Sequence, residues 1–413
     1  MRFDTRYIDK TFWAIFLFLI FVATVALASA SSTLVYSTGS ALGPLMKQVL
    51  WFIIGIVCAF GMQYVPSKFI RMGGYALLGF SVLCLYVMLI PHNPFVVTIN
   101  GAGRWFNLFG FTFQPSELAK LSLIIVVADQ LSRIRREEDK RHYFYVTLII
   151  TAVTVLPILV GNLSTAILLA GIIFLMWFLA KIPWKYTLSV ATIAIGVLVS
   201  GYFIVKTCEN HHIKMPRLLQ RTTTWVHRVD DMFAEHQQPK DDTFVVNDDN
   251  YQRSMAKVAI ARGGKSPLGV LPGNSQERDY LPLAYADYIF AIIVEETGVI
   301  GAIGLMFLYL AILFRACWTS SRYEDYAAIF MVMGLALMLT GQALVSMMVA
   351  VGLGPVTGQP LPLISRGGTS VIITSLYFGI MMAVSREQAE RRGVETASEE
   401  ESWEEVPEIH VED

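Results

Sequence analysis

Apolar stretches long enough to cross a lipid bilayer recur ten times along this chain. They fall at about 12–30, 45–63, 73–90, 116–131, 143–160, 164–180, 186–206, 288–313, 326–349 and 368–384. About 20 residues of helix span the hydrocarbon core of a membrane. The spacing therefore predicts an all-α integral membrane protein of ten transmembrane helices. Composition points the same way: 54% of the 413 residues are hydrophobic and 16% charged, too few charges to coat a soluble domain of this size. A net charge of −1 argues against bulk nucleic-acid binding.

An even number of crossings places both termini on one side, and charge bias says which. Arg2, Arg6, Lys10, Lys68, Arg71, Arg133, Arg135, Arg136 and Lys140 belong to one set of connections; the short loops opposite hold little beyond Lys47, Arg104 and Arg366. Cytoplasmic loops are enriched in Lys and Arg, so both termini are expected in the cytoplasm. The N-terminus imitates a secretory leader, ending in Ala28-Ser29-Ala30. Beside nine further apolar runs, an uncleaved first helix is the better reading. Cys58, Cys84, Cys208 and Cys317 show neither a disulfide framework nor metal-ligand spacing.

Three stretches interrupt the pattern. Residues 207–287 form a polar extracytoplasmic loop between the seventh and eighth helices, long enough to suggest a functional element over the membrane mouth. Its middle, Lys240 to Asn250, reads as solvated or mobile. Residues 352–362 carry three prolines and three glycines between apolar flanks, so a non-helical segment near membrane depth is expected there, lining protein or water. Ser365-Arg366-Gly367-Gly368-Thr369-Ser370 then opens the last helix. A cation beside free backbone N–H groups makes a phosphate seat; a re-entrant structural turn is an equal reading. Beyond a membrane domain spanning 1–388, residues 389–413 are expected to be an acidic, disordered cytoplasmic tail.

Ionisable residues inside apolar segments are the chemical candidates, because a charge in hydrocarbon is costly unless paired or wet. Glu117 and Lys120 stand one helical turn apart, on one face. They form either a structural ion pair or the grip of a polar cavity. Glu295 and Glu296 make a second intramembrane acidic pair, with Arg315 or Lys120 as candidate partners for Glu295. Asp287 sits where the long loop meets the eighth helix, as a helix cap, as a carboxylate able to take a proton from a hydroxyl, or as both. Arg104-Trp105 lies in the outer loop before the fourth helix, where Trp suits the interface and Arg can contact phosphate.

Taken together, several segments resemble the SEDS family, the FtsW and RodA class of bacterial peptidoglycan glycosyltransferases. They are Gly101-Ala102-Gly103-Arg104-Trp105, Gln114 to Lys120 (QPSELAK), Ala291 to Gly298 (AIIVEETG) and Gly354 to Ser365. The similarity runs from about residue 10 to 388 with the ten-helix layout in order. The resemblance implies polymerisation of lipid-linked disaccharide-pentapeptide (lipid II) at the outer face of the bacterial plasma membrane. It places the family's essential aspartate on Asp287 and substrate-binding roles on Arg104, Trp105, Glu117, Lys120, Gln252 and Arg366. It also implies a class B penicillin-binding transpeptidase and division or elongation machinery as partners, beside membrane lipids. The chain departs from the family pattern at Leu283, Tyr285, Ala286, Asn162, Met255, Ala256 and Ser346. The acidic extension past Arg392 leans toward the FtsW-like septal enzyme.

Lipid II is α-linked and the polymer β-linked, so one displacement with one base suffices, which the resemblance assigns to Asp287. Arg104, Lys120 and Arg366 would hold diphosphate or acceptor. A divalent cation (Mg or Mn) could assist at the diphosphate, although no dedicated ligand set is visible. A flippase or transporter of the lipid-linked precursor is the competing expectation, since intramembrane charges and a broken helix would serve it too.

Overall fold

The computed structural model describes residues 7–30, 42–90, 93–99, 102–108, 110–136, 140–211, 220–237, 251–277, 280–281, 285–355 and 357–404. Helices α1 (Lys10–Ala30), α2 (Leu42–Met62), α3 (Ser67–Val87), α4 (Pro115–Arg136), α5 (Lys140–Gly161), α6 (Leu163–Leu179) and α7 (Trp184–Asn210) lead the bundle. Helices α8 (Gln220–Gln237) and α9 (Tyr251–Gly263) follow, then α10 (Ile289–Ser320), α11 (Tyr326–Ala350) and α12 (Thr369–Glu404). Each of the ten expected apolar stretches overlaps one of these helices. Eight are long and apolar enough to cross a membrane, which makes this a multi-pass membrane protein. The other two are α6, which has 17 residues, and α4, which carries Glu117, Lys120 and Asp129.

Helix α4 tolerates those charges because it sits at the centre of the bundle, where every residue from Ala119 to Ala128 is buried. It packs against α3, α5 and α11. Gly74 of α3 and Gly334 of α11 have no side chain to hold off Ile125 and Ile124 of α4, and an added Cβ would collide with either. By contrast α7 hardly enters the bundle; Ile193, Ile195, Val197 and Phe203 face outward, as a lipid-exposed surface requires.

At one end of the bundle, polar groups close the helix termini. Asp9 caps α1 through the N–H groups of Thr11 and Phe12, and accepts from Arg315 at 2.9 Å and from Ser385 at 3.1 Å. Arg315 is thus committed to Asp9, not to Glu295 as one sequence expectation had it. Arg71 lies between Asp129 and Asp325.

Two expectations change. The fold is not purely α-helical: at the opposite end, β1 (Val96–Ile99), β2 (Ala102–Leu108) and β3 (Phe111–Phe113) make a small antiparallel sheet in sequence order. Phe106 and Phe113 pack with Cys84 at the end of α3, which anchors it. The last helix also runs on to Glu404, so residues 389–404 are helical, not the expected disordered tail. Arg and Glu favour helix, and Arg386–Glu390 and Glu387–Arg391 pair one turn apart. Residues 405–413 and the loop middle from 240 to 250 lie outside the described residues.

Candidate functional site

Three chain segments meet at the sheet end of the bundle. The first is β2. Its pairing with β1 matches Val97 with Trp105 and Thr98 with Gly103, so the register skips Arg104. Arg104 is the extra residue of a β-bulge, a device that re-aims one side chain. The second is the turn 285–287 before α10. Tyr288, not Asp287, precedes the first helical residue, and no side chain caps that end. The cap reading of Asp287 is therefore wrong. The third is the irregular strap 352–368, expected from its prolines and glycines.

The strap brings the other two together. A Cβ built on Gly358 would stand 3.6 Å from Asp287 Oδ2 and 3.7 Å from Arg104 Nη1, so both groups flank that glycine. Gly358 has a φ of +59°, a left-handed conformation that glycine adopts without strain. The strap also fixes the Asp287 turn from outside. Arg366 N donates to Tyr285 O at 2.9 Å, Ser365 Oγ donates to Ala286 O, and the Arg366 guanidinium lies over the Tyr285 ring at 5.1 Å. Arg366 thus stands beside the turn that carries Asp287.

Burial pushes the Asp287 carboxyl above the usual range, while Arg104 and Arg228 pull it down. Burial lowers the Arg104 guanidinium, Arg228 lowers it further, and Asp287 opposes both. The site is therefore a partly desolvated carboxylate with two arginines in electrostatic range. Arg104 Nε and the hydroxyls of Tyr288 and Thr357 are buried without a hydrogen-bond partner among the described residues. Arg228, on α8, was missed by the sequence reading because α8 itself was read as loop. A signal existed in the apolar spacing of Trp225, Val229, Met232 and Phe233, which marks an amphipathic helix.

The intramembrane pair is real and continuous with this site. Lys120 Nζ lies 2.7 Å from Glu117 Oε1 and 2.8 Å from Gln342 Oε1. Gln342 Nε2 in turn donates to Pro360 O at 3.0 Å, two residues from Gly358. Lys120 does not reach Glu295. Gln252 is half-buried on α9, one residue before Arg253, whose guanidinium donates to Gly352 O at 3.0 Å. Trp105 is half-buried in β2. Among the described residues no hydrogen bond or ion pair joins Gln252 or Trp105 to Asp287.

Glu295 and Glu296 are not an unscreened pair in hydrocarbon. Glu295 accepts from Ser275 Oγ and from the N–H groups of Gln276 and Glu277 at 3.1 and 3.4 Å, with Arg262 Nε at 3.8 Å. Glu296 accepts from Ser29 Oγ and from Gly273 N at 3.1 Å. Three of these partners are backbone amides of a loop, which leave no trace in sequence. Asn162, where the family pattern has an acid, caps α6 through Thr165 N.

Among the described residues no group of three or more His, Cys, Asp or Glu is gathered for a metal ion. Among the described residues the charged groups that act on Asp287 are the cations Arg104 and Arg228, which by themselves make no donor set for a divalent ion.

A multi-pass membrane protein with a carboxylate between arginines at one mouth of its bundle is the class that fold and site define. Comparison narrows it. The family model described as cell cycle protein, covering FtsW, RodA and SpoVE, matches residues 9–390, and the chain belongs to that family. It is 29% identical over 387 residues to the probable peptidoglycan glycosyltransferase FtsW of Nitrosomonas europaea, covering 92% of this chain and 91% of that one. It is 26% identical over 382 residues to the peptidoglycan glycosyltransferase MrdB of Escherichia coli K12, covering 92% and 94%. The crystal structure of an aspartate-to-alanine variant of the Thermus thermophilus rod shape determining protein RodA shares the fold, with a TM-score of 0.64 at 22% identity over 92% of this chain and 98% of that one. A chain from a peptidoglycan synthase complex that coordinates polymerization and crosslinking gives 0.65 at 26% identity, over 90% and 97%.

Proposed function

We propose that this protein is a peptidoglycan glycosyltransferase that polymerises lipid II. Ten membrane crossings would place both termini in the cytoplasm and the Asp287 site at the outer face of the bacterial plasma membrane. One observation carries the reading: a half-buried carboxylate and the bulged Arg104 both lie beside Gly358, with Arg228 in electrostatic range.

The chemistry follows from that arrangement. Inversion at the anomeric carbon needs one base for the incoming 4-hydroxyl, and Asp287 is that base. Its raised pKa suits it to accept a proton. The C–O bond to diphosphate breaks as the new glycosidic bond forms, and the leaving diphosphate keeps the electron pair. Arg104 and Arg228 offset its growing charge in a partly desolvated site, where fixed cations act most strongly. Glu117 orients Lys120, and the Gln342–Pro360 link transmits that order to the strap. No protein-held metal is required, and a cation carried by the diphosphate itself remains compatible.

The relatives include FtsW and MrdB at similar identity, so the reading covers septal or elongation synthesis, beside a penicillin-binding transpeptidase. Purified protein incubated with lipid II in detergent tests it. Glycan strands resolved on a gel support the polymerase; lipid II left unpolymerised, with transport in reconstituted vesicles, would support the flippase instead.

A further inference from the structure

We infer that Glu295 is a positioning residue: by pinning the loop 270–277 onto α10, it sets where the Asp287 carboxylate stands. The inference rests on Asp287 being the reaction's base.

Glu295 is fully buried in the second turn of α10, whose first residue, Ile289, follows Asp287 by two positions. Its carboxylate holds Ser275, Gln276 and Glu277, while its backbone carbonyl accepts from Val270 N at 2.9 Å. Arg262 closes the group, donating to Gln276 Oε1 at 2.6 Å. Helix and loop meet backbone to backbone. A Cβ on Gly263 would strike Val294 O, one on Gly269 would strike Glu295 O, and one on Gly298 would strike Gly269 N. Gly298 also breaks the helix, with φ 67° and ψ −162°, and Ile300 N turns to Pro267 O instead. Glycine alone allows both the close approach and the conformation.

From this clamp the chain is held as far as Leu281; residues 282–284 lie outside the described residues. Glu277, held through its N–H by Glu295, accepts at its own carbonyl from Leu281 N at 2.9 Å. Leu281 is buried, six residues before Asp287. Glu295 thus holds the loop that leads toward the base as far as Leu281, and the start of α10 joins Glu295 to the turn that carries Asp287. The strap holds it only from the side, at Tyr285 and Ala286. Glu296 repeats the device, joining Gly273 to Ser29 of α1.

Glu295→Gln keeps the volume and removes the charge shared by three donors. Misplacement of a reacting group by about 1 Å can cost about a hundredfold in rate. We expect kcat for lipid II polymerisation to fall by about tenfold or more with KM within about twofold. The acid limb of the pH profile should move upward, because Asp287 drifts from the arginines that favour its ionised form. Ser275→Ala, which removes one donor, should do the same more weakly and covers the case in which Glu295→Gln fails to fold. If the folded variants keep both kcat and the acid limb, the inference is overturned while the polymerase reading stands. A wild-type protein that makes no polymer would end both.

Discussion

Replacing Lys120 by Met should separate structure from function in the buried ion pair. Lys120 is 1% exposed and Glu117 9%, so the variant leaves a carboxylate in the bundle with no cation at 2.7 Å. Breaking a buried pair by removing one partner costs about 3–5 kcal/mol. The Gln342 oxygen loses its donor as well, worth about 1.5–3 kcal/mol for a bond to a charged group. The two losses share one ammonium, so they do not add fully. Thermal unfolding in detergent, followed by Trp fluorescence, should show a single large destabilisation. Adding Glu117→Gln removes the stranded charge, and most of that stability should return. Polymerisation should not return, because the cation that orders Gln342 and the strap is still missing; we expect it to stay down by about a hundredfold or more. If the double variant regains both stability and strand synthesis, the pair is only glue between α4 and α11. The site would then end at Asp287 and the arginines.

Further outcomes follow from Asp287 and its neighbours. Arg104→Ala removes the larger of the two cationic effects that lower the Asp287 pKa, so the acid limb of kcat/KM should shift to higher pH, as a pH–rate profile would show. Asp287→Asn should raise the unfolding temperature near neutral pH, because burial makes the folded protein bind this proton more tightly than the unfolded chain. The carboxylate therefore costs stability as pH rises through its folded pKa, and the gain should shrink as pH falls toward the ordinary Asp value of about 3.9. Gly358→Ala forces a side chain into the left-handed region, costing about 1–2 kcal/mol. It also sets a methyl against both Asp287 and Arg104, so strand synthesis should fall further than melting data imply.

Much of this architecture could be read without coordinates, for a physical reason. A bilayer demands long apolar runs, and those runs are local in sequence, so each run could be read and each overlaps a described helix. The strap was legible through its prolines and glycines. Short-range polar structure was not. Val96 to Ile99 is β-branched and is followed by Asn100-Gly101, a hairpin signal that the surrounding helical pattern overshadowed; Asn100 and Gly101 themselves lie outside the described residues. Asp287 stood out as a residue, but whether it caps the helix depends on where α10 starts, which differs by a single position. Neither cation expected as a partner of Glu295 reaches it, because its donors are a nearby hydroxyl, two peptide N–H groups and Arg262. Arg228 is one charge among many in a polar loop until α8 folds and carries it toward Arg104. Contacts across the bundle, such as Lys120 to Gln342, bridge 222 residues of sequence and have no local signature.

The most direct measurement compares the purified protein with its Asp287→Ala variant on lipid II, under matched detergent and with melting curves to show that both are folded. The account predicts glycan strands from the first and none from the second. Strands of normal length and rate from the alanine variant would contradict it.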